Sequence, residues 1–423
     1  MENIQVSKEA MNYLPHLSLA ERNRRWGEAR AKMFRSGLDC LLLWGNDLFW
    51  DLGMVNFRYL THIGSKHGGF AIFPEIGDPV VFSGPTHMSR PCSAYLYTQD
   101  WVSDIRPNTG VSSVVNRMLE MGFEKARIGV VGYGSVVSPT SSVTHQAYVN
   151  FQRLLPQATF VDATPLLEEM RLIKSAEEIA MLEKAGKIGR KMIDAMISTA
   201  KPGVKECEVF AEMVRTMIAN GGEPTIFLLL SSGPIEGGVG PKHLLHGNDS
   251  PIAPTQRPLQ KGDVIVCEFH TIYGGYMTGC EFTVFIGKAP ERYHRIHQVS
   301  VECLHAQIEK MRPGVTLLEL WEAAHKPLVK AGLDFLELGF HGHGMASPEF
   351  PAMAYPLGQG RMSGDSILGW TLKENMVLSQ NFDLFDPNWK TDVGAQLGDC
   401  CVIEAKETRR LVGVPEELPE VGI

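Results

Sequence analysis

Two stretches of this chain, set about 110 residues apart, follow one design. Residues 197–224 read ISTAKPGVKECEVFAEMVRTMIANGGEP, and residues 308–335 read IEKMRPGVTLLELWEAAHKPLVKAGLDF. Each has a helix end, a basic residue followed by Pro-Gly-Val, an amphipathic helix with an acidic residue near its start, and a glycine-containing stop. Proline and glycine at those places halt one helix and let another begin. A period this long does not describe a solenoid, whose repeats are far shorter; it describes a domain made of two related halves. Each half is expected to lay helices on one face of a curved antiparallel sheet, with a site between the halves.

That domain does not account for the whole chain. At 423 residues the chain exceeds what one hydrophobic core serves. Its first part alternates helix and strand: a charged amphipathic helix at Leu19–Ser36, a buried strand at Asp39–Trp44, and strands at Gly69–Phe73, Pro79–Ser83 and Ala126–Val131. That alternation is the mark of an α/β layer. The segment MRLIKS, Met170–Ser175, leads into the second part, where Ser175 and Glu178 spell a capping box. Ile179, Leu182, Ile193 and Met196 then follow at helical spacing. The domains are accordingly drawn at 1–168 and 169–423.

Composition narrows the function. A formal net charge of −8, with no basic run, argues against a nucleic-acid partner. No apolar segment of about 20 residues is present, so no membrane span is expected. The first residues lack a basic stretch followed by an apolar one, and a cytoplasmic location is expected. The eight cysteines show no C-x-x-C spacing, which favours buried free thiols over zinc or redox chemistry.

The richest local signal is KGDVIVCEFHTIYGGYMTGCEFTVFIG, Lys261–Gly287. Two apolar runs, Val264–Cys267 and Phe282–Ile286, flank Gly274-Gly275, so the segment reads as a β-hairpin. Glu268 and Glu281 fall on its facing strands, and His270, two residues beyond Glu268, shares that residue's face. His341 and His343 alternate in FHGHG, and Asn381 and Asp383 alternate in SQNFD; both segments read as strands.

The duplicated layout, MRLIKSAEEIAMLEKA, the hairpin, FHGHGMASPEFP and ENMVLSQNFD together resemble the pita-bread superfamily of methionine aminopeptidase, prolidase, aminopeptidase P and creatinase. The N-terminal part, including NFRYLT at Asn56–Thr61, is similar to the creatinase and prolidase branch. The resemblance implies a creatinase-like α/β domain followed by a pseudo-twofold pita-bread domain. It also implies five metal ligands in the metal-dependent members. Their two aspartate positions fall on Glu268 and Gly279, the histidine on His341, and the two glutamate positions on Asn381 and Gly398. With one carboxylate and one imidazole left, the bridging set that two cations need is missing.

The metal-free members fit those positions better. Glu281 falls on the creatinase glutamate that binds a guanidinium group, and Glu268 on a functional glutamate of ectoine hydrolase. The creatinase acid/base histidine falls on Pro251, and either His246 or His243, in PKHLLHGND, can stand in for it. The expectation is therefore a hydrolase with no cofactor, cleaving a non-peptide C–N bond in a small cationic or zwitterionic metabolite: an amidine, a guanidine or a small cyclic amide. Glu268, Glu281, His341 and His246 are its candidate catalytic groups, since paired carboxylates split into acid and base. His243, His270, Tyr276, His343, Asn381 and Asp383 are candidates for substrate binding, and Phe269, Tyr273, Phe282 and Phe382 for apolar walls. The resemblance further implies a homodimer in which residues near Ser65-Lys66-His67 reach the partner's substrate.

Two other readings stay open. One is a metal-dependent Xaa-Pro peptidase or lyase with a rearranged site, its single cation drawn from His243, His246, Glu268, His270 and His341. The other is a catalytically silent binding protein on the same fold.

Overall fold

The computed structural model describes residues 14–46, 53–64, 68–84, 99–133, 142–225, 227–237, 243–249, 254–353 and 367–423. Pro251 and Ser65-Lys66-His67 lie outside the described residues. Two compact units divide the chain, Met1–Glu177 and Glu178–Ile423.

The first unit is built on a six-stranded mixed sheet. Its helices are α1 (Leu19–Arg35), α2 (Val55–Thr61), α3 (Val111–Glu120), α4 (His145–Leu154) and α5 (Thr164–Arg171). Its strands are β1 (Cys40–Gly45), β2 (Gly69–Pro74), β3 (Val80–Ser83), β4 (Asp104–Pro107), β5 (Arg127–Val131) and β6 (Thr159–Asp162), in spatial order β4-β3-β2-β1-β5-β6. The β1 run CLLLWG is buried throughout, as a strand covered on both faces must be. Trp44 meets Phe70 and Phe151 edge-on at 5.0 and 5.2 Å. Arg25 of α1 is fully buried, which its partners allow: Glu21 accepts from Nε at 2.7 Å and the Tyr59 carbonyl from Nη1 at 3.0 Å.

The second unit opens with α6 (Ala176–Thr199) and α7 (Glu206–Ala219), then β7 (Leu228–Pro234), β8 (Asp263–Tyr273) and β9 (Tyr276–Ile286). There follow α8 (Glu291–Lys310), α9 (Leu317–Ala331), β10 (Asp334–Gly342), β11 (Glu349–Met353), β12 (Val377–Asp386), β13 (Lys390–Gln396), β14 (Cys400–Ile403), β15 (Thr408–Arg410) and β16 (Glu420–Val421). The strands form two sheets, β16-β9-β8-β7 and β11-β10-β12-β14-β15 with β13 paired to β12. All pairings in them are antiparallel except β16 on β9.

The repeated sequence has repeated geometry. Gly203 and Gly314, each in its Pro-Gly-Val turn, have φ of 90° and 88°, which a side chain resists. Gly203 N donates to the Leu259 carbonyl at 2.8 Å, and Leu259 N to that of Val204 at 2.8 Å. In the second half Gly314 N donates to Leu372 at 2.9 Å, and Leu372 N to Val315 at 2.8 Å. Each following helix is capped alike: Glu208 accepts from Lys205 N at 2.8 Å and Glu319 from Thr316 N at 2.9 Å. Gly262 and Asn375 then lead into β8 and β12 with φ of 94° and 64°. The spacing that relates Leu259 to Leu372 and Gly262 to Asn375 also relates Glu268 to Asn381. Those two site residues are therefore mates under the internal symmetry.

Candidate metal centre

The β8–β9 hairpin turns at Gly274 and Gly275, both at positive φ (62° and 81°), the backbone that a two-residue turn of matching twist demands. Its register sets Glu268 opposite Glu281 and His270 opposite Gly279. Side chains alternate across a strand, so Phe269 and Thr271 face the other way. Thr271 Oγ1 reaches Met192 Sδ of α6 at 3.5 Å, and Gly189 of that helix leaves room for the close approach. One face of the hairpin thus packs on helix and the other carries the ionisable groups. Every residue of both strands is buried except Tyr273, which is partly so.

A short loop brings in His246. Asp249 accepts from the backbone of Leu245 and His246 at 2.6 and 2.8 Å, tightening the turn at Gly247–Asp249. Asn248 N donates to His246 Nδ1 at 3.0 Å, so Nε2 carries the proton that points to Glu268 Oε2, 2.9 Å away. Asp383 Oδ2 lies 3.9 Å from the same nitrogen. The other half supplies β10 and β12, whose register pairs Glu337 with Asp383.

The ligand atoms of His246, Glu281, Glu337 and Asp383 all lie within 4.8 Å of one another. Atoms on opposite sides of a first-row divalent ion stand about 4.4 Å apart at metal–oxygen lengths near 2.2 Å. No separation in the cluster exceeds that span by more than a few tenths of an ångström. Glu281 is fixed for this: Asn381 Nδ2 donates to its Oε1 at 2.9 Å and Phe382 N to its Oε2 at 2.8 Å. Asp383 is fully buried, yet neither of its oxygens receives a hydrogen bond. A buried carboxylate without a donor is costly unless something positive joins it. Asn381 Oδ1, beside it, is buried and unpartnered too.

Electrostatics agree. Burial, together with Asp383, Glu268 and Glu337, pushes the Glu281 carboxyl well above its usual range. Burial likewise raises Asp383 well above its own, with Glu337 and Glu268 adding to it and His246 opposing. For His246, burial works against the charged ring, but Glu268, Asp383 and Glu337 overcome it and push the pKa up to about 10. For Glu268, burial would raise the pKa, and the His246 hydrogen bond and charge bring it below the usual value. Four carboxyls therefore share one imidazole, and the surplus must be met by protons or by a cation. The donor set, three carboxylates and one imidazole, suits a divalent ion.

Beside the cluster stand three more imidazoles. His343 is fully buried; Nδ1 faces the Met277 carbonyl at 3.3 Å and Nε2 meets Ser347 Oγ at 3.0 Å. His341 stacks on it at 4.8 Å, and His270 meets it edge-on at 5.2 Å while stacking on Phe227 at 3.9 Å. Burial lowers the pKa of His270 to about 3 and lowers that of His341, so both rings are neutral. Of the two histidines in HGHG, His343 is the one against Gly279: a Cβ there would lie 2.8 Å from its Cε1.

The other candidates stand apart from this cluster. His243 is largely exposed, with Nδ1 3.1 Å from Asp249. Tyr276 is buried, and its hydroxyl donates to Glu178 of α6 at 3.0 Å. Phe269 packs toward the same helix. Glu337 was not singled out from the sequence. The signal was available, because Glu337, Gly339 and His341 alternate along β10 and so share a face.

Comparison with known proteins bears on this geometry. Residues 180–405 match metallopeptidase family M24, and residues 25–173 match the creatinase/prolidase N-terminal domain. The chain belongs to metallopeptidase family M24. An Xaa-Pro dipeptidase of Pyrococcus furiosus is 25% identical over 280 residues, 66% of this chain and 73% of that one. An uncharacterized peptidase of Bacillus subtilis, YqhT, is 25% identical over 280 residues, 66% of this chain and 72% of that one. Among solved structures, the prolidase of Pyrococcus horikoshii OT3 superposes with a TM-score of 0.71 at 20% identity, covering 94% of this chain and 100% of that one. Both the superfamily and the two-part fold expected from the sequence are those of the M24 protein. Among the described residues no helix is long and apolar enough to cross a membrane.

M24 membership, the peptidase relatives and the ligand cluster overturn one expectation. Metal-free cleavage of a non-peptide C–N bond, with no cofactor, is replaced by metal-dependent hydrolase chemistry. The physical reason is a displacement. The positions that lack a carboxylate, Gly279 and Asn381, each have one two residues further on, at Glu281 and Asp383. Two residues along a strand return to the same face, about 7 Å away. Counting ligands position by position gave Glu281 a catalytic role and Asp383 a substrate-binding one, although each carboxylate lies one step along the face from a vacant ligand position. The rearranged set expected from His243, His246, Glu268, His270 and His341 shares only His246 with the cluster observed.

Proposed function

We propose that the protein is a metal-dependent peptidase acting on small peptides of the Xaa-Pro dipeptide class through a rearranged cation site. The observation that carries this reading is Asp383, a fully buried carboxylate with no hydrogen bond, set among Glu281, Glu337 and His246. The peptidase relatives supply the substrate class. A divalent cation, when bound, polarises a scissile carbonyl and makes water a better nucleophile at neutral pH.

The chain's own groups do the rest. Glu281, Glu337 and Asp383 hold the centre, and the Asn381 amide and Phe382 N–H fix Glu281 in one orientation. Glu268 Oε2, hydrogen-bonded to His246 Nε2, is an ionised acceptor at the edge of the cluster and takes the proton from attacking water. His341 is neutral and half-buried, and offers a ring nitrogen to a substrate carbonyl or carboxylate. Phe227, stacked on His270, supplies an apolar wall that keeps the charges strong by excluding water.

The test is hydrolysis of Ala-Pro, Leu-Pro and Met-Pro by protein stripped with a chelator and then supplied with Mn²⁺, Co²⁺ or Zn²⁺. Turnover that returns with metal supports the reading. No turnover with any of these ions, or turnover indifferent to the chelator, overturns it.

A further inference from the structure

We infer that the centre takes one divalent cation per chain and excludes a second. This rests on the metal-dependent reading above and adds its stoichiometry and its cause. A pair of cations a few ångströms apart needs carboxylates bridging them. The side of the site next to Gly279 has none to offer, and its neighbours keep it so.

At Gly279 a Cβ would stand 2.8 and 2.9 Å from Cε1 and Nε2 of His343 and 3.2 Å from Cδ2 of His270. The room a carboxylate would need is filled by imidazole. Neither nitrogen of His343 is spare, since one faces the Met277 carbonyl and the other meets the Ser347 hydroxyl. At Gly398 a Cβ would fall 2.0 Å from the Gln380 carbonyl oxygen, a backbone atom that cannot swing away. Neither glycine is there for an unusual φ; both are there because something else occupies the space. Asn381, between them, turns its amide nitrogen to Glu281 and has only Oδ1 left. Hence this side of the site, lined by His270, His343 and Asn381, offers no carboxylate. The negative charge lies away from that side, at Glu281, Asp383 and Glu337 around a single point, with Glu268 beside it and engaged by His246.

The experiment is a count. Metal-stripped full-length protein is titrated with Mn²⁺ and with Zn²⁺ by calorimetry, and the metal retained after gel filtration is measured by elemental analysis. One equivalent per chain is expected. Glu281→Gln is expected to lose that equivalent, and the half-buried Glu337→Gln, which spares the hairpin, to bind at least tenfold more weakly. Two equivalents would overturn this inference and leave the metal-dependent reading standing. No bound metal would overturn both. One equivalent at unchanged affinity in Glu337→Gln would move the cation out of this cluster and overturn the assignment.

Discussion

Glu281 and Gly398 hold each other by a reciprocal pair of backbone hydrogen bonds, N to O at 3.1 Å in both directions. The pair joins β9 to the segment before β14, and so ties one sheet of the second unit to the other. The Glu281 carboxylate is then aimed from the seam itself. Any residue at position 398 other than glycine meets the Gln380 carbonyl.

Gly398→Ala is accordingly expected to destabilise the protein by about 3 kcal/mol, at the upper end of overpacking costs, because backbone must shift to admit the methyl. Urea denaturation read by circular dichroism measures it. A midpoint equal to that of the parent would contradict the close approach described at that position.

Glu281→Gln keeps the shape of the side chain and removes its charge. One of the donors on it, Asn381 Nδ2 or Phe382 N, then meets an amide N–H₂ instead of an oxygen. Turnover of an Xaa-Pro dipeptide is expected to fall by on the order of 100-fold or more, with the thermal midpoint lowered by only a few degrees. Retention of most of the parental turnover would take Glu281 out of the centre.

Gly279 and His343 should be energetically coupled. Gly279→Ala alone crowds the imidazole and is expected to cost about 2 kcal/mol. In a His343→Ala background the same change has space, and most of that cost should vanish, giving a coupling on the order of 1–2 kcal/mol. Additive effects in the double-mutant cycle would show that His343 does not fill that space.

Acid stability should depend on His62 in the first unit. Burial, with Arg58, His16 and Arg25 nearby, pushes its pKa down to about 3 from an ordinary 6.5. The unfolded chain therefore binds a proton between those values that the folded chain does not. Stability is intact above pH 6.5 and declines as pH falls toward 3. His62 sits at φ 57°, a backbone asparagine tolerates, so His62→Asn preserves the turn. The drop in melting midpoint between pH 7 and pH 5 should be smaller in the variant, by the equivalent of about 1–2 kcal/mol. An identical drop in both proteins would assign the acid sensitivity elsewhere.

Much of the scaffold was legible because it depends on local rules. Pro-Gly-Val turns, caps at Glu208 and Glu319 and the Gly274-Gly275 turn each announce themselves within a few residues. The strand faces that carry Glu268, His270, Glu281 and Asp383 followed from simple alternation. The centre was harder, because it is assembled from four segments that share no local spacing. His246 arrives on a loop, and its distance to Glu268 is set by the Asp249 turn rather than by proximity in the chain. Glu337 shares a face with His341 by the same alternation, but only the register of β10 on β12 sets it opposite Asp383. Gly279 and Gly398 read as lost ligands in one dimension. Only in three dimensions are they the places taken by His343 and by the Gln380 carbonyl.

The matched turns of the two halves have a last consequence. Glu268 and Asn381 occupy equivalent places in the repeat, yet one bears a charge and the other does not. A near-symmetric shell thus encloses a lopsided field. A small dipolar molecule inside it would meet a carboxylate from one half and an amide from the other, so its two ends would not be interchangeable.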